Sequence, residues 1–600
     1  MDCSFMRFAF DGVHSIFLMI ALVVYVVTAS CLPWLSKVTK NNRRFLTFYA
    51  LTGLTAVGIF LSANLFTTFC FFELMTLTSF AYVGNDETIY SRKAARSYLA
   101  YGIIGGLVML FGILLLYSMF GTLDYWQMSS LADTVTDKKY LYIAGACLLF
   151  GFGAKAGMYP LHTWLPKTYV AAPCAGTTVL SAVLSKAGIY GIYMTTFILF
   201  TSDENWGLAL TILGCLTMFT GGLLGLFSVN LKRTLACSSM SQIGFILVAI
   251  GTYNSLGALL HTINHSLFKL ILFTVVSMIF GMTEELDYNR LAGFANRKWW
   301  LRIPFLCAAL GISGVPLFSG YLSKTLIHRF LEDYMKSGPY MELYSVAEWI
   351  FLISGGMTFA YMLKMYFALF HNRKNNDYSG QACNEDMCIA KPNKLSIVLL
   401  FALGLICIGL GSYPTLLPAL MTWENLKGSL ISLSIGALIY FLLVRPFMVK
   451  KEPDGTSCSM KYLDIYPVWL DIEEKIYIPL LTKFLPFIGA FFSRIADRLV
   501  DGLSILVMKT ILRPRGRSHV KNDHPLAYAI GKIADGIFYV VHVKIWKKPP
   551  VSRASYADLF TVGSTEFSRT TRLILYSVSF GLLMFSLGLM AALIYLLYAL

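Results

Sequence analysis

Residues 255–280 read SLGALLHTINHSLFKLILFTVVSMIF, twenty-six positions of which only His261, His265 and Lys269 are titratable. The run is long enough to cross a bilayer as a helix, for which about 20 apolar residues suffice. In a helix His261, His265 and Lys269 stand at i, i+4 and i+8. They share one face, each about 6 Å beyond the last at 1.5 Å per residue. The stretch therefore predicts both a membrane span and a line of titratable groups inside it.

Similar apolar runs recur along nearly the whole chain. The 600 residues are 56% hydrophobic and 14% charged, where a soluble chain carries about 25% charged residues. Only helices and closed barrels satisfy their backbone groups in lipid, and these runs are too long and too evenly apolar for barrel strands. The expected fold is an all-α polytopic bundle of about fourteen spans. They are placed near 13–35, 45–65, 66–84, 98–120, 140–158, 175–200, 206–230, 233–252, 255–280, 302–333, 345–371, 393–412, 427–445 and 570–599.

The organisation follows. Residues 1–44 hold the first span and its loop, and residues 45–200 hold five spans. Residues 206–371 hold five more, 393–445 two, and 570–600 a final anchoring span. Residues 446–569 are mixed in character. Ile488 to Leu512 sets apolar residues at helical spacing between Arg494, Asp497, Arg498 and Asp501. That pattern suits an amphipathic lateral helix on the membrane surface or along neighbouring subunits.

Net charge is +16, but the basic residues fall in short loops, not in one patch, so nucleic acid is not expected as a partner. Lys37, Lys40, Arg43, Arg44, Arg92, Lys93, Arg96, Lys232, Arg233, Arg290, Arg297, Lys298, Arg373 and Lys374 all lie on one side under this count. The positive-inside rule makes that side the cytoplasm. Both termini then face outward. Of the twelve cysteines, several sit inside apolar runs (Cys70, Cys147, Cys215, Cys237, Cys307, Cys407), no CxxC pair exists, and Cys383 and Cys388 share a polar loop. No disulfide framework and no bound metal are expected. There is no P-loop, Rossmann fingerprint, nucleophile elbow or HExxH, so no cofactor site and no catalytic residues are assigned to this chain. No cleavable signal peptide is evident.

Two spans are punctuated alike. The fifth contains GAKAGMYP from Gly153, and the tenth contains GVPLFSGYLSK from Gly314. Each combines Gly, Pro and a lysine, and each is fourth in a block of five spans. An odd block length turns the second block upside down relative to the first. Paired broken helices at matching places in inverted blocks point to an ion pathway.

A titratable group inside the bilayer costs roughly 2.5–3.5 kcal/mol on insertion scales. Glu73, Lys155, Lys186, His261, His265, Lys269 and Lys324 therefore each need an explanation. As a row they suit proton transfer: burial loosens a lysine's hold on its proton, a nearby carboxylate restores it, and histidine titrates near neutrality. Taken singly, Glu73 or Lys186 also reads as a structural pair, Lys155 as a snorkelling side chain and His261 as a satisfied core residue. His162, Glu348 and Lys364 are accessory candidates. His162 reads equally as a helix cap, and Lys364, near a span end, as a residue that snorkels to the interface.

The segments FFELMTLTSF from Phe71, AKAGMYPLHTWLPKTYVAAPCAGTTVLSAVLSKAG from Ala154, NLKRTLACSSMSQIGF from Asn230, HTINHSLFKLILF from His261 and GVPLFSGYLSK from Gly314 carry a resemblance. The chain resembles the antiporter-like membrane subunits of complex I, of Mrp-type cation/proton antiporters and of energy-converting membrane-bound hydrogenases. Residues 446–600 are similar in layout to the lateral helix and last span of the distal complex I subunit. The resemblance implies two inverted five-helix repeats. It implies that Glu73 and Lys155 pair in the first half-channel, that Lys186, His261, His265 and Lys269 form a central relay, and that Lys324 is the exit-side lysine. It further implies translocation of protons, or of Na⁺, in a multi-pass subunit of a cell inner (cytoplasmic) membrane. Partners would be other membrane subunits of the same family and peripheral redox subunits. Those redox subunits would carry iron–sulfur clusters and, in a hydrogenase, nickel–iron. The alternative within the resemblance is a cation/proton antiporter with no redox partner. Relatives usually carry two further spans before FAFDGVHSIF, whose space a small separate subunit would fill. Some also carry an acid in the span after the glutamate, where GIIGGLVML from Gly102 has none.

Overall fold

The computed structural model describes residues 6–371, 390–413, 416–452, 459–467, 471–495, 498, 525–550, 552 and 554–564. They divide into two units, Met1–Lys475 and Ile476–Leu600.

The first unit is a helical bundle. Asp11 caps α1 (Gly12–Leu35) by accepting from the backbone of Val13 and His14. α2 (Asn42–Phe60) and α3 (Leu65–Val83) follow, the latter capped by Asn64, and then the long α4 (Ile89–Phe120), capped by Thr88. A short surface helix, α5 (Tyr125–Ala132), precedes α6 (Lys139–Ala156). Such side-chain caps satisfy backbone N–H groups that have no partner within the helix. Beyond α6 the chain breaks and resumes as α7 (Trp164–Ala171). The next span is one continuous helix with a wider turn inside it: α8 (Cys174–Val179), a π-helical stretch Leu180–Leu184 and α9 (Ser185–Leu199).

The second block repeats this order. α10 (Glu204–Phe227), α11 (Leu231–Gly251) and α12 (Ser255–Thr283) are capped by Asp203, Asn230 and Asn254. A second broken pair, α13 (Trp299–Ser313) and α14 (Ser319–Ser337), leads to α15 (Met341–Phe370). α16 (Lys394–Gly411), short α17 (Leu416–Leu420) and α18 (Trp423–Leu438) complete the bundle, α18 running on through a π stretch into α19 (Arg445–Met448).

The two breaks match closely. α6 ends on Gly157 at φ +83° and α13 on Gly314 at φ +81°, a left-handed conformation that glycine adopts without steric penalty. Each stops a helix inside the bundle, leaving carbonyl ends without intrahelical partners at depth. Among the described residues twelve helices are long and apolar enough to cross a membrane. Every expected span up to residue 445 is matched by a helix or by a broken pair; the expected span near 570–599 lies outside the described residues, as do Cys383 and Cys388. Leu22, Val26, Leu54, Leu77, Leu107, Phe111 and Leu405 stand exposed on the outside, a surface suited to lipid or to other subunits. The centre is α11, wholly buried, and α12, nearly so.

The mixed stretch 446–569 opens on a two-stranded antiparallel hairpin, β1 (Val449–Glu452) against β2 (Ser459–Tyr462). In β2, Ser459-Met460-Lys461-Tyr462 alternates polar and apolar residues, as a strand does. In the second unit, Pro525–Ile545 is helical and leaves Leu526, Ile530, Ile533 and Ile537 exposed on one face. Asp535 ties it to the next turn, accepting from Ser555 Oγ at 2.5 Å and Tyr556 N at 2.9 Å. The helix Glu473–Ile495 covers the start of the segment read as amphipathic; most of its remainder, to Leu512, lies outside the described residues.

Candidate functional site

The first cluster lies where α3, α4 and α6 meet. Lys155 sits in the last turn of α6, where a cation complements the helix's partial negative charge. Its ammonium donates to Thr76 Oγ1 at 2.8 Å and to Tyr98 OH at 2.6 Å. It also stands 4.6 Å from the Tyr98 ring centroid and 5.6 Å from that of Phe72, within cation–π range. Lys155 does not snorkel. Thr76 follows Glu73 by one helical turn, so both present to the same side of α3. The Glu73 carboxylate feels the Lys155 charge without touching it. Its Oε1 is buried and has no hydrogen-bond partner. Hydroxyl groups thus stand where a direct ion pair would close.

Gly106 of α4 makes room for Glu73. A Cβ built on Gly106 would lie 2.2 Å from Glu73 Oε1. The Glu73 carboxylate itself fills the space.

The second cluster forms around the π stretch. Widening the turn there frees backbone carbonyls from their usual partners. Lys186 Nζ donates to one of them, Ser181 O, at 2.6 Å, and lies 3.0 Å from His265 Nδ1. Nε2 of His265 is buried and has no hydrogen-bond partner. One turn further along α12, Lys269 donates to Leu235 O of α11 at 2.9 Å. His261 Nδ1 is 2.9 Å from Ser323 Oγ, and its Nε2 is 3.2 Å from Gln242 Oε1. Gln242 donates in turn to Thr358 Oγ1 at 3.2 Å.

Lys324 follows Ser323. Its ammonium is buried with no hydrogen-bond partner, 4.7 Å from the Phe245 ring centroid. It lines a cavity of about 30 Å³ with Gly314, His328 and Ser429, space for about one water. The structure thus brings Glu73 and Lys155 near each other without a direct bond, and pairs Lys186 with His265, with Lys269 one turn further along α12. It bonds His261 to Ser323, the residue next to Lys324 in the chain. Between the clusters, α6 packs directly on α9.

The accessory candidates separate. His162 stacks on Tyr159 with ring centroids 5.6 Å apart. It does not cap α7, whose cap position is Thr163. Instead it lines a cavity of about 280 Å³ with Lys167, Arg233, Tyr466 and Glu474. Lys167 helps close that region by pairing with Asp471 at 2.7 Å and Glu473 at 2.8 Å. Glu348 meets His328. Lys364 does not snorkel: it is fully buried and donates to Leu226 O at 2.6 Å and Ser228 O at 2.7 Å. It caps the C-terminal end of α10, a role set by a contact across the bundle that local hydropathy does not show. Thr76, Tyr98, Gln242 and Ser323 carry no signal in the sequence, because hydroxyls and amides are ordinary within spans. His328 was within reach of sequence reasoning, one turn beyond Lys324.

The family model described as NADH:quinone oxidoreductase/Mrp antiporter, transmembrane, matches residues 62–346. Over that segment the chain is similar to antiporter-like membrane subunits. All seven residues of the row fall within the matched segment. The chain is 28% identical to a Na(+)/H(+) antiporter subunit of Alkalihalophilus pseudofirmus, over 51% of this chain and 64% of that one. It is 26% identical to hydrogenase-4 component B of Escherichia coli, over 65% of this chain and 60% of that one. It is 26% identical to NADH-ubiquinone oxidoreductase chain 5 of Cryptococcus neoformans, over 81% and 67%. The match to the antiporter and hydrogenase proteins spans less than two thirds of their length. The fold is shared with a chain of the Mrp complex from Dietzia (TM-score 0.58, 20% identity, 73% of this chain and 85% of that one). It is also shared with a chain of an archaeal membrane-bound sulfane sulfur reductase (TM-score 0.60, 24% identity, 88% of each chain).

Proposed function

We propose that this antiporter-like subunit moves protons across a cell inner membrane as part of a redox-driven complex of the hydrogenase or complex I type. The observation that carries this reading is the row itself: Lys155, Lys186, His265, Lys269, His261 and Lys324 are buried, Glu73 is half-buried with its Oε1 enclosed, and hydroxyl, imidazole and amide groups hold Lys155, Lys186 with His265, and His261. A charge held in such surroundings is expensive unless it is used.

In this reading Glu73 and Lys155 are the loading pair. Drawing the carboxylate toward the ammonium favours a protonated lysine; moving it away releases the proton. Thr76 and Tyr98 hold Lys155 in the open arrangement. Lys186, His265 and Lys269 relay the charge, and His261 with Ser323 hands it toward Lys324. Water bridges the step between Lys155 and Lys186. The chain holds no redox centre. Iron–sulfur clusters, with nickel–iron in a hydrogenase, belong to peripheral partners, and related membrane subunits flank this one.

The test is proton translocation by the intact complex in sealed vesicles. Lys155→Ala and Glu73→Gln each lower it sharply. Full pumping in both variants removes the assigned roles.

The similarity to a protein named as part of a Na(+)/H(+) antiporter supports a second reading, a cation/proton antiporter with no redox partner. It predicts that small membrane subunits alone co-purify, and that an imposed Na⁺ gradient drives proton movement without an electron donor.

A further inference from the structure

One polar group beside the Lys324 cavity is not used by the row described above. His328 lines that cavity and is nine-tenths buried. Its Nε2 lies 3.3 Å from Glu348 Oε1 on α15 but makes no hydrogen bond with it. Its Nδ1 lies 3.5 Å from Glu332 Oε1, one turn along α14. One donor atom from each of the three residues lies within 4.8 Å of the others.

We propose that His328, Glu332 and Glu348 form a site for a borderline divalent cation such as Zn²⁺, at the mouth of the Lys324 cavity. Zinc takes imidazole nitrogen at about 2.0–2.1 Å and carboxylate oxygen at about 2.0–2.2 Å. Two such ligands at tetrahedral positions stand about 3.3–3.5 Å apart, which is the His328–Glu348 separation found here. A cation on Nε2 satisfies a buried ring nitrogen that has no hydrogen bond. Glu332 then either swings in as a third ligand or holds the opposite N–H, the arrangement that fixes a metal-bound histidine. Imidazole with carboxylate suits zinc better than magnesium or calcium, which prefer oxygen alone. A search that looks for clustered cysteines does not find such a site.

Regulation follows if the proposed proton route holds. A dication at this mouth and an ammonium on Lys324 repel each other, so zinc slows turnover.

The intact complex is equilibrated with ZnCl₂, washed through a sizing column and its zinc measured. Wild type is expected to hold one zinc per copy more than the His328→Gln/Glu348→Gln double variant, and X-ray absorption is expected to show imidazole among the ligands of that zinc. Equal zinc in both proteins, or a spectrum without imidazole, overturns the site. Should the double variant fail to assemble, the conservative Glu332→Gln on the more exposed carboxylate decides. It weakens zinc binding about tenfold, and unchanged affinity overturns the site. In sealed vesicles micromolar ZnCl₂ slows proton translocation by wild type. Zinc bound as described but without effect on translocation keeps the site and overturns the proton route past Lys324.

Discussion

Nζ of Lys186 lies 3.0 Å from Nδ1 of His265, across the contact between the π stretch and α12. At that distance one proton lies between two nitrogens, so the ammonium donates to a neutral imidazole or the imidazole N–H donates to a neutral amine. Passing the proton on exchanges these two arrangements. Lys186→Met is therefore expected to lower translocation about a hundredfold, the lower end for a lost proton-transfer group. Sealed vesicles of the intact complex with a pH-sensitive dye measure this. A rate within twofold of wild type would show that the proton travels elsewhere.

Gly106 faces Glu73. Gly106→Val puts side-chain atoms where Glu73 Oε1 now lies, so the carboxylate must turn away from α4. The expected result is a pumping loss close to that of Glu73→Gln, with assembly intact. A variant that pumps normally would show that the carboxylate position is not used.

Lys364 holds the end of α10. Lys364→Met leaves two buried carbonyls without their charged donor and is expected to cost about 2 kcal/mol. The signature is a lowered midpoint in thermal unfolding, larger than any proportional loss in pumping per folded complex. Loss of pumping at unchanged stability would instead make Lys364 part of the route.

Asp203, at the start of α10, is a loop carboxylate. Burial raises its pKa, but hydrogen bonds from Lys138, Trp206 N–H and Tyr142 outweigh that and hold it below its ordinary value of 3.8. A lowered carboxyl contributes stability that is present above the ordinary value and lost as pH falls through the lowered one. Asp203→Ala should cost about 1 kcal/mol near neutral pH, a typical helix-cap loss. The difference from wild type should shrink below about pH 4. Thermal unfolding at several pH values checks this, and a pH-independent difference would contradict it.

The spans and both breaks were legible from sequence because each rests on local signals: apolar length, glycine in a left-handed turn, and proline. The titratable row was legible because charge is conspicuous in an apolar run. What hydropathy could not show was who meets whom. Lys364 reads as an interface residue in the sequence because its partners lie 136 and 138 positions away. The hydroxyls of Thr76 and Tyr98 gave no signal, since threonine and tyrosine are common within spans. The hairpin after α19 escapes a sequence reading because a four-residue strand carries too short a pattern to separate from a helix.

Among the described residues Lys186, His265 and Lys269 are paired with backbone carbonyls, a hydroxyl and each other's nitrogens, and with no carboxylate. Two ammonium ions placed there would repel with nothing to offset them. A single excess charge at a time is therefore the expected occupancy of this segment. In the proposed proton route, this stretch therefore passes one ion at a time.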